Sequence, residues 1–532
     1  MSSRLLLENA RIVDGTGAPW FRGHIVISDG QIESVCRERE PTVDVDERVD
    51  LSGQVVCPGF IDLHSHSDLR ILDEPTLEPK IKQGITTEIL GQDGFSMAPM
   101  YCDGGAAEWS DHLAGLTGES EAEWTWESVG DYLDVVADRG VAVNVATLVG
   151  HGTVRYDALG MTDNEPTDEE LERMADLVTE ALADGAVGFS TGLVYAPQVV
   201  ATTREVSTLA ERLAPYGRPF VAHIRSEGRW IWDAFDEFVD IGDETDIPIH
   251  VSHFKVSGRS VRGEAGRLLG LMETARDRGV DITADKYPYA AGNTMLTSVL
   301  PPWVHAEGSE QLRKILRDES ARDRMHREIS EWEIDGWENN AGKTGWENLV
   351  LSNISDDKLA HLNGQSVAAV AADRKVRPID AVCDVLLQAG TGVSVITHSQ
   401  SETDVRKMLS HERVAIGTDA LFGGSPHPRT YGAYPRILGH YVRDENLMTF
   451  EEAVRKMTSL PARAMGLDQK GLVRPGMDAD LTVVRPHMVE ERSSFADPRQ
   501  FPSGVPHVLV NGEFVVRDGE VTGTLPGEPI RA

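Results

Sequence analysis

The stretch VVCPGFIDLHSHSD, residues 55–68, decides the fold. An apolar run leads directly into His64 and His66, one residue apart. Residues i and i+2 of a strand face the same way, so both imidazoles can aim at one point just past the strand end. Metals are gripped in this way at the mouth of a barrel of parallel strands. An isolated His-x-His pair carries little weight by itself. Its meaning comes from the order of the segments downstream.

Beyond residue 68, apolar runs alternate with amphipathic ones. With the opening run they are VVCPGFIDLH, TTEILGQD, VAVNVATLVGH, GAVGFSTGL, PFVAHIR, PIHVSHF, VDITADKYPY and RVAIGTDA. Helical patterns such as DEELERMADLVTEALADG and SETDVRKMLSHE separate them. Eight strands alternating with helices predict a TIM-like (β/α)8 barrel, an α/β fold whose reactive residues gather at the C-terminal strand ends. Short strand patterns with Asp29-Gly30 and Asn511-Gly512 turns occupy the two chain ends. The expected organisation is therefore a small β-sandwich from residues 1–57 and 471–532, with the barrel over 58–470. A stretch at about 300–350, rich in Trp, Gly and charge, reads as an insertion or a lid over the site.

Composition narrows the function. The chain has 532 residues, 40% of them hydrophobic, which suits a large globular core. Asp plus Glu total 86 against 51 Lys plus Arg, a formal charge of −35. Such a field disfavours nucleic acid and anionic membranes as partners. Spread along the chain, it points to an acidic surface suited to a salt-rich cytoplasm. No apolar run reaches membrane-spanning length, and the start MSSRLLLENARIVDG does not read as a secretory signal. The cysteines Cys36, Cys57, Cys102 and Cys383 lack metal-ligand spacing and read as thiols of a reducing compartment, so a cytoplasmic location is expected.

The strand ends supply one set of polar residues: His64 and His66, Asp93, His223, His253 and Asp419. Imidazole and carboxylate together suit a borderline ion such as Zn²⁺. A bound ion of this kind brings the pKa of water to about 7, and a neighbouring carboxylate can take the proton and deliver it to a leaving group. Asp419 is the candidate for that carboxylate. Taken singly, each His reads as a hydrogen-bonded structural residue and Asp419 as a helix cap. The constellation gives them their weight.

The motifs PGFIDLHSHSD, GITTEILGQDGFSMAP, GAVGFSTGLVYAP, HVSHFKVSG, ADKYPYAAGNTML and PHPRTYGAYPRILGHYVR resemble the amidohydrolase superfamily, and within it the N-acyl-D-amino-acid deacylases. The resemblance spans nearly the whole chain. It implies a zinc-dependent barrel with an appended β-domain, hydrolysing small N-acyl-D-amino acids to a carboxylate and a D-amino acid. It matches His223 and His253 to the ligands of a tight zinc, and His64 and His66 to a second, weaker position. Asp419 matches the catalytic base and acid, and Lys255 and Tyr287 match the residues holding the substrate α-carboxylate. Tyr195 and Arg225 are further candidates for substrate contact, and His151 and Glu227 for support behind the ligands. The family pattern has cysteine where this chain has Asp93, within Gln92-Asp93-Gly94. A carboxylate is a harder ligand than thiolate and can bridge two ions, so one or two zinc ions, or another divalent metal, fit the sequence. Ala420 also departs from the glycine usual after the catalytic aspartate.

Three other readings compete. A cyclic-amide hydrolase of the hydantoinase and dihydroorotase type bridges its metals with a fourth-strand lysine, yet no lysine lies between Lys82 and Lys255. A dipeptidase would share the same metal chemistry. A non-catalytic binding barrel would not need the four histidines and Asp419 together.

Overall fold

Gly59 divides the opening motif between two sheets. In the computed structural model, which describes residues 4–532 except 38–40, 42, 119 and 355, Val55–Pro58 pairs antiparallel with Leu481–Val484 and parallel with Arg4–Ile12. Phe60–Asp62 instead pairs parallel with Ile85–Leu90. A Cβ at position 59 would lie 2.1 Å from Thr86 Oγ1, so the change of sheet requires glycine.

The barrel strands, labelled in chain order, are β1 (Phe60–Asp62), β2 (Ile85–Leu90), β3 (Asn144–Thr147, resuming at Val149–Gly150), β4 (Phe189–Gly192), β5 (Phe220–His223), β6 (Ile249–Val251), β7 (Ile282–Lys286) and β8 (Val414–Ile416). Successive strands pair in parallel, and Leu148 interrupts β3 between its two pairing partners. A parallel bridge between Ser65 and Ala420 and a hydrogen bond from Asp419 N to His64 O, 2.8 Å, close β8 onto β1. These are the eight strands that the apolar runs predict. Parallel strands are covered on both faces, which is why they read as continuous apolar runs. The intervening helices carry their own signals. Thr167 and Glu170 form a capping box that starts Asp168–Ala183, a device worth ~1 kcal/mol.

The chain ends build one nine-stranded sheet around Leu7, Ile12, Ile25, Val56, Leu481 and Leu509, the β-sandwich domain of this fold. Between β7 and β8 the chain forms a module of its own. Gly292–Met295 and Leu349–Ser352 flank Ser394–Thr397 in an antiparallel sheet, and helices such as Gly308–Arg317 and Pro378–Ala389 pack with it around Leu312, Met325, Leu351 and Val395. The module therefore reaches beyond the 300–350 stretch that composition singled out. Its flanking strands and helices have ordinary composition, and only their pairing across a hundred residues reveals them. Among the described residues, no helix is long and apolar enough to cross a membrane.

Candidate metal centre

The loops after β1 and β8 are tied together before any ligand is placed. Lys80, fully buried, donates to Asp62 Oδ2 at 2.6 Å, Ser65 Oγ at 2.8 Å and Thr418 Oγ1 at 3.1 Å, and pairs with Glu88 at 2.5 Å. Thr418 N donates to Asp62 Oδ1 at 2.8 Å, and Ser65 and Ser67 donate to Glu88. The His64–His66 turn and the Thr418-Asp419 turn thus share one polar clamp. Asp93, His253 and Asp419 all sit at positive φ, at 55°, 35° and 51°. Such backbone is costly for non-glycine residues and persists where its surroundings enforce it. Here Gln198 Nε2 donates to Asp93 O at 2.7 Å, and Asp285 Oδ1 receives His253 N at 3.0 Å.

Asp93 stands among four histidines. Its Oδ1 lies 3.6 Å from His64 Nε2 and 3.6 Å from His253 Nε2, and its Oδ2 lies 3.7 Å from His66 Nε2 and 3.6 Å from His223 Nδ1. These separations are too long for hydrogen bonds. Ligands about 2.1 Å from a shared tetrahedral ion stand about 3.4 Å apart, close to this spacing. His64 Nε2, His66 Nε2, His223 Nδ1 and Asp93 Oδ1 are buried without a hydrogen-bond partner among the described residues, although buried polar atoms are ordinarily satisfied. Two three-residue groups with metal-binding geometry, His64–His66–Asp93 and Asp93–His223–His253, share the Asp93 carboxylate. The donor set fits one ion, or two bridged by Asp93.

Groups behind the ligands orient them, as carboxylates commonly do for metal-bound histidines. Asp285 Oδ2 lies 3.6 Å from His64 Nδ1 and 3.1 Å from His250 Nε2. Glu227 Oε1 lies 3.0 Å from His253 Nδ1, which turns Nε2 toward Asp93. Burial works against the Asp93 carboxylate, but the charges of His64 and His253, with His223 also close by, outweigh it and hold its pKa well below the usual range. Burial likewise opposes ionised Glu227, and Lys255 with His223 and His253 reverses the effect.

Asp419 Oδ1 lies 3.5 Å from His66 Nε2 and 3.8 Å from His64 Nε2. Its Oδ2 forms an ion pair with Arg429, 2.8 Å from Nη1. Against the cost of burial, Arg429 and His64 keep this carboxyl ionised. Arg429, fully buried with its guanidinium 4.7 Å from the Tyr287 ring centre, is a residue that sequence reasoning missed. It lies within the PHPRTYGAYPR motif, but nothing local to it signals a buried partner for Asp419.

The structure gathers most of the remaining candidates. Lys255 Nζ contacts Glu227 and lies 2.8 Å from His253 Nδ1. Tyr287 OH accepts from Gln400 Nε2 at 2.8 Å, and Tyr195 OH shares a 2.9 Å hydrogen bond with Thr294. All three line one narrow cavity of about 40 Å³ with His66, Asp93, His223, Glu227, His253 and Asp419. Leu116 and Val194 contribute apolar wall, and the inserted module contributes Asn293, Thr294, Glu338, Asn340, Lys343 and Thr397. Arg225 is a correction. It does not line this cavity, because the chain leaves β5 after His223, the alternation that would aim residue 225 inward ends there, and Glu237 takes its guanidinium at 2.9 and 3.0 Å. His151 is also away from the cavity, held between Thr191 Oγ1 at 2.9 Å and Glu205 Oε1 at 2.8 Å.

Known proteins match this chain over nearly its full length. The amidohydrolase family model matches residues 47–516. D-aminoacylase of Alcaligenes xylosoxydans xylosoxydans is 34% identical over 524 residues, covering 98% of this chain and 96% of that protein. A D-aminoacylase structure described by its binuclear metal center superposes with a TM-score of 0.84 at 31% identity, covering 99% of both chains. N-acyl-D-glutamate deacylase from Bordetella bronchiseptica, complexed with zinc and a phosphonate mimic of the tetrahedral intermediate, gives a TM-score of 0.83 at 30% identity over 99% of both chains.

Proposed function

The chain belongs to the amidohydrolase family, in its N-acyl-D-amino-acid deacylase branch, and from that premise we propose that it hydrolyses N-acyl-D-amino acids to a carboxylate and a free D-amino acid. The observation that carries the reading is the cluster of unpartnered imidazole and carboxylate atoms beside Asp419. His223, His253 and Asp93 would hold one zinc ion, and His64, His66 and the shared Asp93 a second. When bound, the ion supplies a water molecule acidic enough to lose a proton near pH 7 and polarises the amide carbonyl.

The protein groups supply the rest. Asp419 takes the proton from the attacking water and returns it to the departing nitrogen as the C–N bond breaks. Arg429 engages Oδ2, which leaves Oδ1 on the histidine side for the transfer. The Tyr287 oxygen already accepts from Gln400, so its own O–H is free to donate. Together with the Lys255 ammonium, it is suited to an α-carboxylate. The cyclic-amide alternative loses support because β4, residues Phe189–Gly192, offers no lysine as a bridge.

Four free cysteines and the dispersed acidic charge support a reducing, salt-rich cytoplasm as the working environment. The direct test reconstitutes the protein with zinc in high salt and offers matched N-acetyl-D- and N-acetyl-L-amino acids together with hydantoins. Turnover confined to the D-series supports the proposal, and turnover confined to hydantoins rejects it.

A further inference from the structure

The wall that the inserted module supplies, here the outer end of the cavity, contains an ion pair that the hydrolytic chemistry does not use. Lys343 and Glu338, both contributed by the inserted module, are in contact, and their side chains are 5% and 4% exposed. Both oxygens of Glu338 have a partner, Lys343 at Oε1 and Ser226 Oγ at Oε2, the latter 2.5 Å away. Lys343 is less fully engaged. An ammonium has three N–H donors, and among the described residues the Glu338 carboxylate is the one acceptor its head group meets. A second donor is also spare: Asn293 is 6% exposed, lines the same cavity, and its Nδ2 has no hydrogen-bond partner among the described residues. The outer end therefore has donors to spare. A closed buried ion pair adds little stability over apolar packing, so stability alone does not account for this arrangement.

Resting on the deacylase reading, we propose that Lys343 and Asn293 form a subsite for a second carboxylate, and that the natural substrates are N-acyl derivatives of acidic D-amino acids. The α-carboxylate goes to Lys255 and Tyr287 at the inner end. The side-chain carboxylate meets the free N–H groups of Lys343 and Asn293, with Glu338 fixing the lysine. A carboxamide side chain brings one oxygen and two donors of its own, so it fits this surplus poorly. An aliphatic side chain satisfies none of it.

The test compares N-acetyl-D-glutamate, N-acetyl-D-glutamine and N-acetyl-D-methionine on the zinc-loaded full chain in high salt. The acidic substrate should lead in kcat/KM by about 10- to 100-fold, the range for a hydrogen bond to a charged group. Lys343→Met should collapse that ratio mainly through KM, and Lys343→Arg should restore part of it. A purely structural role would lower all three substrates alike and leave the ratio intact, which would overturn the subsite. Should Lys343→Met fail to fold, product inhibition of the unmodified enzyme decides: free D-glutamate must inhibit more tightly than free D-methionine, and equal inhibition overturns the proposal. Turnover of the methionine derivative without any acidic preference removes the subsite alone. Inertness toward all three removes the deacylase reading with it.

Discussion

Two buried lysines, one behind the ligand-bearing turns at the inner end of the cavity and one in its outer wall, have different surroundings. Lys80, beneath the β1 and β8 turns, is surrounded by Asp62, Glu88, Ser65 and Thr418. Burial alone would depress its pKa, but the Asp62 and Glu88 carboxylates overcome that and raise it. Lys343, at the outer end, has one carboxylate and donors to spare. A lysine with every donor taken can only hold its neighbours in place. One left partly unsatisfied can receive something else. The inner end is thus built for fixed geometry, and the outer end for recognition.

The division of roles predicts distinct kinetic signatures. The largest effect belongs to the inner end: Asp419→Ala should retain metal and lose about 10³-fold or more in kcat, since a general acid–base contributes roughly 10²–10⁴. Steady-state rates on several substrates, with metal analysis, check this. The loss must be similar for each, because Asp419 serves the scissile bond and not the side chain. Next, Lys80→Met leaves Asp62 and Glu88 buried without their counter-charge. Breaking such a group costs about 3–5 kcal/mol, so urea unfolding should shift by that order and zinc content should fall with it. A variant of native stability and full zinc occupancy would remove the contrast between the ends. Lys255→Ala should be smaller, raising KM by about 10- to 100-fold with kcat less affected, as expected where an anchor contributes equally in the ground and transition states. A change confined to kcat would move Lys255 from anchoring into the chemical step.

The inner end was legible in sequence and the outer end was not, for a physical reason. Strands covered on both faces must be apolar throughout, so β1–β8 appear as runs, and the polar residues that break those runs are the ones at the cavity mouth. His64, His66, Asp93, His223, His253 and Asp419 were found this way. The groups that hold them were hidden, because the contacts are remote: Lys80 meets Thr418 across 338 positions, and Thr418 meets Asp62 across 356. In EPKIKQG, Lys80 looks like any surface lysine. Arg429 and the Glu338–Lys343 pair are concealed in the same way. Arg225 shows the opposite error, a strand alternation extended two residues beyond His223, where the strand ends.

A third buried lysine supplies the limiting case. Lys456 packs beneath β8 with its ammonium donating to the His411 carbonyl and, among the described residues, no carboxylate in contact. Burial dominates, assisted by Arg455 and only partly offset by Glu452 and Glu412, and lowers its pKa from 10.5 to about 7. Between those values the unfolded chain binds the proton more tightly than the folded one does. Stability should therefore rise with pH from about 7 toward 10.5, by at most about 1.4 kcal/mol per unit from this group, and the full penalty of charging should persist below 7. Lys456→Met removes one titrating group, so denaturant midpoints measured from pH 7 to 10 should rise less steeply than in the unmodified chain, where buried Lys286, its pKa also lowered by burial, adds a slope of the same sign. Lys80→Met should leave it in place, because the raised pKa of Lys80 gives a contribution of opposite sign that fades only at higher pH. Parallel slopes for Lys456→Met and the unmodified protein would mean that burial does not govern this lysine. The ordering of the three lysines by the acceptors around them would then fail at its simplest member.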